Sequence, residues 1–174
     1  MRKILEALRF AVPQLKELGM ERDSSGAPHL RGRYEHWRAT GAWQAEDQFS
    51  DGTVRLMGLL WALLDGSGPL LLEEPELSLH PEVVRYIPQL FARIQSRTAR
   101  QAIVSTHSPD LLGDGGIGLD EVLLLEPGEE GTSVRVASEL EEVERLLRGG
   151  MSLADVILPR TRPSNIEQLP LFGD

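Results

Sequence analysis

Two adjacent carboxylates, Glu73 and Glu74, close the short apolar run Leu70-Leu71-Leu72, and a histidine, His107, follows a second such run, Ala102-Ile103-Val104. If both runs are parallel strands joined by one crossover helix, the three side chains are expected at the carboxyl edge of the sheet, where open α/β sheets bind ligands. Such a set suits hydrolysis of a phosphoanhydride. That reaction needs a divalent cation held by oxygen, a carboxylate to orient or deprotonate water, and donors for the charge that develops on the terminal phosphate. One carboxylate cannot serve cation and water equally well, so a pair is informative. Two other readings stay open at this point. Consecutive acids can simply mark the end of a strand, and Glu73, Glu74, His80 and His107 together would be the ligand set of a metal-dependent nuclease. A third feature lies upstream, where Ser50-Asp51-Gly52-Thr53 precedes a long apolar helix. A helix amino terminus offers unpaired N–H groups and a favourable dipole to an anion, and Gly52 would permit close approach. Plain capping by Ser50 or Asp51 is the competing explanation.

The elements that must position these residues can be read from the apolar periodicity. Arg2 to Leu18 has Ile4, Leu5, Leu8, Val12, Leu15 and Leu18 at helical spacing, with Pro13 kinking or dividing the helix. Met20 to Trp37 reads as a hairpin around Asp23-Ser24-Ser25-Gly26-Ala27-Pro28, followed by a turn at Thr40-Gly41 and a third antiparallel strand over Trp43 to Gln48. After Ser50 helices and strands alternate, the pattern of a parallel α/β sheet. Thr53 to Leu64 is apolar nearly all round and is expected to be a buried helix. Leu70 to Leu72 is a central strand. A helix opens at Pro81, with Val83, Val84, Ile87, Leu90, Phe91 and Ile94 on one face and Arg85, Arg93 and Arg97 outside. Ala102 to Val104 is the next strand, Ser108-Pro109 starts a short helix, Val122 to Leu125 is a third strand, and Glu139 to Arg148 is a helix. Beyond Pro159 the proline-rich tail is expected to be irregular. The fold class is therefore α/β, a parallel sheet flanked by helices with an antiparallel amino-terminal hairpin. It divides into an amino-terminal part over 1–48, a central lobe over 49–158 and a tail over 159–174.

Composition narrows the setting. The chain has 174 residues, 41% of them hydrophobic, which suits one domain or one substantial lobe of a larger one. With no cysteine, disulfide scaffolds, thiolate metal sites and cysteine nucleophiles are excluded, and a reducing, cytoplasmic setting is expected. The longest apolar run, Met57 to Leu64, is far short of the roughly 20 residues of a membrane span, and no membrane partner is expected. The net charge of -9 argues against nucleic-acid binding through bulk electrostatics. From Asp114 to Glu144 ten carboxylates face the single base Arg135, most simply a solvated face. His29 and His36 on the hairpin read as surface residues.

Three segments in order, Gln48-Phe49-Ser50-Asp51-Gly52-Thr53, Leu70-Leu71-Leu72-Glu73-Glu74-Pro75-Glu76-Leu77-Ser78-Leu79-His80-Pro81 and Val104-Ser105-Thr106-His107-Ser108-Pro109, resemble the signature motif, the Walker B strand with its D-loop, and the switch histidine of ABC-type ATPases. The likeness is to the soluble branch of RecF-like, structural-maintenance-of-chromosomes-like and overcoming-lysogenization-defect-like proteins, the AAA_21 ATPases. It covers Phe49 to about Leu125. The resemblance implies a P-loop NTPase fold, with Glu73 on the metal side, Glu74 as the catalytic glutamate and His107 as a donor to the γ-phosphate. It implies that Ser50, Asp51, Gly52 and Thr53 contact the γ-phosphate bound to another protomer, with ATP and magnesium as cofactors and an ATP-dependent homodimer as the working state. His80 has two readings, a sensor of the opposite site or the end of a loop before Pro81, and the role of Glu76 stays open. DNA repair, phage defence and chromosome handling are all outputs of relatives, and DNA would be reached through other domains.

The chain also departs from that pattern. Its Walker B strand ends in Glu73 where most ABC proteins place aspartate, and Asp51 and Thr53 stand where transporters have Gly and Gln. The phosphate-cradling motif Gly-x-x-x-x-Gly-Lys-Ser/Thr is absent from these 174 residues, whose two lysines, Lys3 and Lys16, each follow a residue other than glycine. The expectation is therefore a carboxy-terminal half of an ABC-type nucleotide-binding domain, inactive alone and completed by a Walker A lobe. A non-catalytic interaction module that retains the fold is the alternative.

Overall fold

A computed structural model describes residues 1–37, 41–128 and 130–162. The chain forms two compact units, Met1–Thr106 and His107–Asp174.

In the first unit, α1 (Arg2–Ala11) is followed by an antiparallel sheet of β1 (Leu15–Arg22), β2 (Pro28–Tyr34) and β3 (Ala42–Ala45), in that order. The helix expected to run to Leu18 ends at Ala11. Pro13 supplies no N–H to continue it, and the chain restarts as β1, with Leu18 opposite Gly32 and Met20 opposite Leu30. The third strand is shorter than expected, because Glu46–Gln48 winds into a 3-10 turn. The turn expected at Thr40-Gly41 falls partly outside the described residues.

Asp23 closes the β1–β2 turn. Its carboxylate accepts from the Ser25 hydroxyl at 2.6 Å and from the Ser25 and Ala27 amides at 2.8 and 2.9 Å, bonds that hold its pKa down at about 2. His29 stands between two acids, with Nδ1 2.5 Å from Glu46 and Nε2 3.3 Å from Asp23, and the Glu46 contact is the larger of the two that raise its pKa. A raised histidine pKa stabilises the fold fully below the unfolded value near 6.5 and ceases to do so as pH rises through the folded value. Wild type should therefore exceed a His29→Gln variant in urea midpoint below about pH 6.5, and the gap should narrow as pH rises through the folded value. A gap that widened with pH would contradict this sign.

The helix α2 (Asp51–Leu64) packs on this sheet and on α1. Ile4, Leu8, Leu15, Phe49, Leu56, Met57 and Leu60 form one core. The helix is less enclosed than its composition suggests, since Val54 and Trp61 are about half exposed. Its far end is held by Arg100, which donates to the carbonyls of Ala62, Asp65 and Gly68. The helix expected from Pro81 is two helices, α3 (Pro81–Val84) and α4 (Ile87–Thr98). Pro88 has no N–H to give to the Val84 carbonyl and would crowd it, so the first helix stops there. Of the face expected to be apolar, Val84 and Ile87 are buried.

Between and after these helices lie β4 (Leu70–Glu73) and β5 (Ala102–Ser105), a parallel pair with Leu71 opposite Ile103 and Glu73 opposite Ser105. Leu71 and Ile103 are 72% and 51% exposed, although parallel strands are ordinarily covered on both faces.

The second unit contains α5 (Pro109–Leu112), β6 (Leu123–Gly128), β7 (Gly131–Val136), α6 (Glu141–Arg148) and α7 (Leu153–Thr161). The strand expected to be the third of the parallel series instead pairs antiparallel with β7, Leu125 opposite Val134. Leu124, Val143, Val156 and Ile157 lie in its core. The helix α7 passes through Pro159 and ends at Thr161, and the tail from residue 163 onward lies outside the described residues. Among the described residues no helix is long and apolar enough to cross a membrane.

Candidate functional site

The amino end of α2 is built from beneath. Phe49, buried, lies edge-on to Tyr34 with ring centroids 6.0 Å apart, and an added Cβ on Gly32 would sit 3.1 Å from its ring. This packing fixes the residue that precedes Ser50. Ser50 is extended at φ -67° and ψ 150°, and its Oγ accepts from the Thr53 amide at 3.3 Å while lying 2.9 Å from the Thr53 hydroxyl. Thr53 is 6% exposed and bonds Tyr34, which offsets part of the rise that burial imposes on the tyrosine pKa. Ser50 and Asp51 thus face solvent while Thr53 supports the turn from within.

The space over Gly52 is occupied by this chain's own backbone. A Cβ there would lie 2.5 Å from the Ser78 carbonyl oxygen, so the absent side chain admits the loop after β4. A groove of about 400 Å³ runs beside the turn, lined by Glu46, Asp47, Phe49, Asp51, Val54, Arg55 and Ser78. Three of these are acids and one is a base. An anion at this helix end would depend on the backbone amides and the helix dipole, not on the surrounding side-chain charge.

The β4 strand brings Glu73 to the carboxyl edge of the parallel pair, opposite Ser105 and exposed. The Glu74 amide donates to the Ser105 carbonyl at 2.9 Å, carrying the ladder one step further. There the chain turns sharply. Glu74 adopts φ 42° and Ser78 φ 63°, left-handed conformations that are costly for residues other than glycine and that concentrate at functional sites. Glu74 also precedes Pro75, a setting that ordinarily favours extended backbone. Backbone bonds from Leu77 to Glu74 and from Leu79 to Glu76 wind the loop tightly. His80 ends it, with Nδ1 accepting from the Glu82 amide at 3.2 Å as the cap of α3.

Sequence reasoning left Glu76 open and passed over Thr106. Glu76 is 7% exposed and accepts a hydrogen bond from the Thr106 hydroxyl. An acid between Pro75 and Leu77 in a polar-looking loop carries no burial signal; only the fold around it does. His107 opens the second unit in an exposed position, and Ser108 caps α5 by accepting from the Leu111 amide at 3.4 Å.

The first unit therefore brings Ser50, Gly52, the 74–79 loop and the β4 and β5 ends into one connected arrangement. Among the described residues no three His, Asp or Glu side chains gather as a ready-made metal site. Oxygen donors such as Glu73 still suit a hard cation that keeps its waters and shares phosphate ligands.

A family model described as "AAA domain, putative AbiEii toxin, Type IV TA system" matches residues 3–113. No curated protein matches the chain. Among matching solved structures is one described as "Structural biochemistry of ATP-driven dimerization and DNA stimulated activation of SMC ATPases", at 14% identity and TM-score 0.56, covering 84% of this chain and 89% of that one. At that identity the likeness is one of fold.

Proposed function

Because the chain belongs to the AAA_21 family of AAA domains, we propose that it is the carboxy-terminal half of an ABC-type ATPase domain, contributing signature turn, Walker B strand and switch histidine to ATP hydrolysis in a dimer. The P-loop ATPase-like fold is common ground with the SMC structure. The observation that carries the finer reading is the left-handed Glu74, placed directly after an exposed Glu73 and pinned to β5 by its amide.

In this reading Glu73 would hold a magnesium ion, which when bound would neutralise charge on the phosphates. Glu74 orients a water and takes its proton as the water oxygen attacks the γ-phosphorus. The bond to the bridging oxygen breaks, and ADP leaves with that electron pair. His107 donates to a γ-phosphate oxygen. As the resemblance to ABC-type ATPases implies, Ser50 and the first amides of α2 meet the γ-phosphate held by a second protomer; no phosphate cradle occurs among these 174 residues. The cradle comes from a Walker A lobe.

The chain alone should show no micromolar affinity for a fluorescent ATP analogue with magnesium and no turnover, because the backbone nest and lysine that grip the β- and γ-phosphates are missing. Adding a polypeptide that carries Gly-x-x-x-x-Gly-Lys-Ser/Thr from the same source should restore both. Tight binding and turnover by the chain alone would overturn the split-site reading.

A further inference from the structure

The Glu76 carboxylate is nine-tenths buried, yet the loop that carries it is open at Leu77 and Ser78. One oxygen accepts from the Thr106 hydroxyl, and the other, Oε2, is buried with no hydrogen-bond partner among the described residues. A half-satisfied buried acid costs stability, because the unpaired oxygen has given up water without gaining a partner. Replacing both Glu76 and Thr106 by apolar groups of the same shape would be close to neutral or stabilising. Stability therefore does not account for an acid here, and its single bond shows what else it does.

That bond spans 30 positions of sequence. At one end is the loop that begins with Glu74; at the other is Thr106, the residue immediately before His107. The β4–β5 ladder ends with the Glu74 amide on the Ser105 carbonyl, so the side-chain tie continues the connection one residue past the last backbone bond. We propose that Glu76 is a positioning residue for ATP hydrolysis, its carboxylate tying Thr106 to the Glu74 loop so that the base and the chain leading into the phosphate donor keep a fixed spacing. The inference rests on the roles given to Glu74 and His107 above. Small displacements of reacting groups are costly, up to about 100-fold in rate for about 1 Å, so a tie of this kind acts on the chemical step more than on nucleotide affinity.

The test is steady-state ATPase kinetics of the assembly containing the Walker A lobe. Thr106→Val removes the donor at nearly constant shape, Thr106→Ser keeps it, and Glu76→Ala removes the acceptor. Thr106→Val and Glu76→Ala should each lower kcat about 10-fold with KM for ATP within about 2-fold, and Thr106→Ser should stay within about 2-fold of wild type. The double variant Glu76→Ala/Thr106→Val should be no slower than either single one. A packing role alone would not be rescued by serine. Full kcat in Thr106→Val, a serine variant as slow as valine, or multiplying losses in the double variant would overturn the proposal. If Glu76→Ala does not fold, the Thr106 pair decides. Glu74→Gln runs alongside as the reference. If it leaves turnover intact, the hydrolysis reading has failed and the tie falls with it; if it is slow while Thr106→Val is not, only the tie is wrong.

Discussion

Glu74→Gln is expected to lower ATP turnover of the completed ATPase by about 100-fold or more, the scale of removing a positioned general base, while ATP binding stays within about 2-fold. Glutamine keeps the size of the side chain and its hydrogen-bonding reach but cannot take a proton. The effect should be large because the backbone commits so much to this position. The Glu74 amide is fixed to Ser105 at 2.9 Å and the residue is held at φ 42°, so its carboxylate extends from a fixed point of the backbone. Glu73 sits one step earlier on the exposed end of β4, and Glu73→Gln should instead raise the magnesium concentration needed for half-maximal rate. Magnesium titrations at saturating ATP separate the two. If both variants lost only metal affinity, Glu74 would not be the base.

Two glycines of one helix should respond to alanine in opposite directions. Gly52→Ala places a Cβ 2.5 Å from the Ser78 carbonyl oxygen, an obstacle of backbone that cannot rotate away. Alanine would otherwise favour a helix by up to about 1 kcal/mol over glycine, and overpacking against fixed atoms costs about 1–3 kcal/mol. A net destabilisation of about 1 kcal/mol is expected, with the 74–79 loop displaced. Gly58 lies on the same helix with nothing within 4 Å of its would-be Cβ, so Gly58→Ala should stabilise by up to about 1 kcal/mol. Urea midpoints of the chain report both. Equal responses would mean that the contact between α2 and the loop does not bear on folding.

Where the sequence was legible, a single physical rule decided each element. Leu70-Leu71-Leu72 and Ala102-Ile103-Val104 are too short and too apolar for helices and form strands, although Leu71 and Ile103 stay exposed instead of entering a core, and Ser50 followed by a long apolar run is a helix start. Leu15 and Leu18 read as helical because a three-residue spacing fits a helix and not a regular strand; Pro13 ends the helix before them, and the irregularity between Leu15 and Glu17 lets β1 turn both toward the same core. The pairing of β6 with β7 was missed because Gly131 to Val136 is largely exposed and offers little apolar alternation. The break before Ile87 follows from one absent N–H at Pro88. For the candidate site, the strand-end placement of Glu73 and the capping by Ser50 follow from local pattern. The burial of Glu76 and the seating of Ser78 on Gly52 arise from residues 26 to 30 positions apart, and no local pattern encodes them.

The left-handed backbone at Glu74 and Ser78 also shapes how this chain can evolve. A search for hardier variants would find glycine or asparagine attractive at both sites, since either relieves a conformation costing on the order of 1–3 kcal/mol in other residues. At Ser78 such a change leaves the carbonyl on Gly52 in place. At Glu74 the same gain in robustness deletes the carboxylate itself. With Glu74 as the base proposed above, selection for thermal tolerance alone would drift toward an inert protein through this one codon, and a library screened only for soluble yield should be read with position 74 held constant.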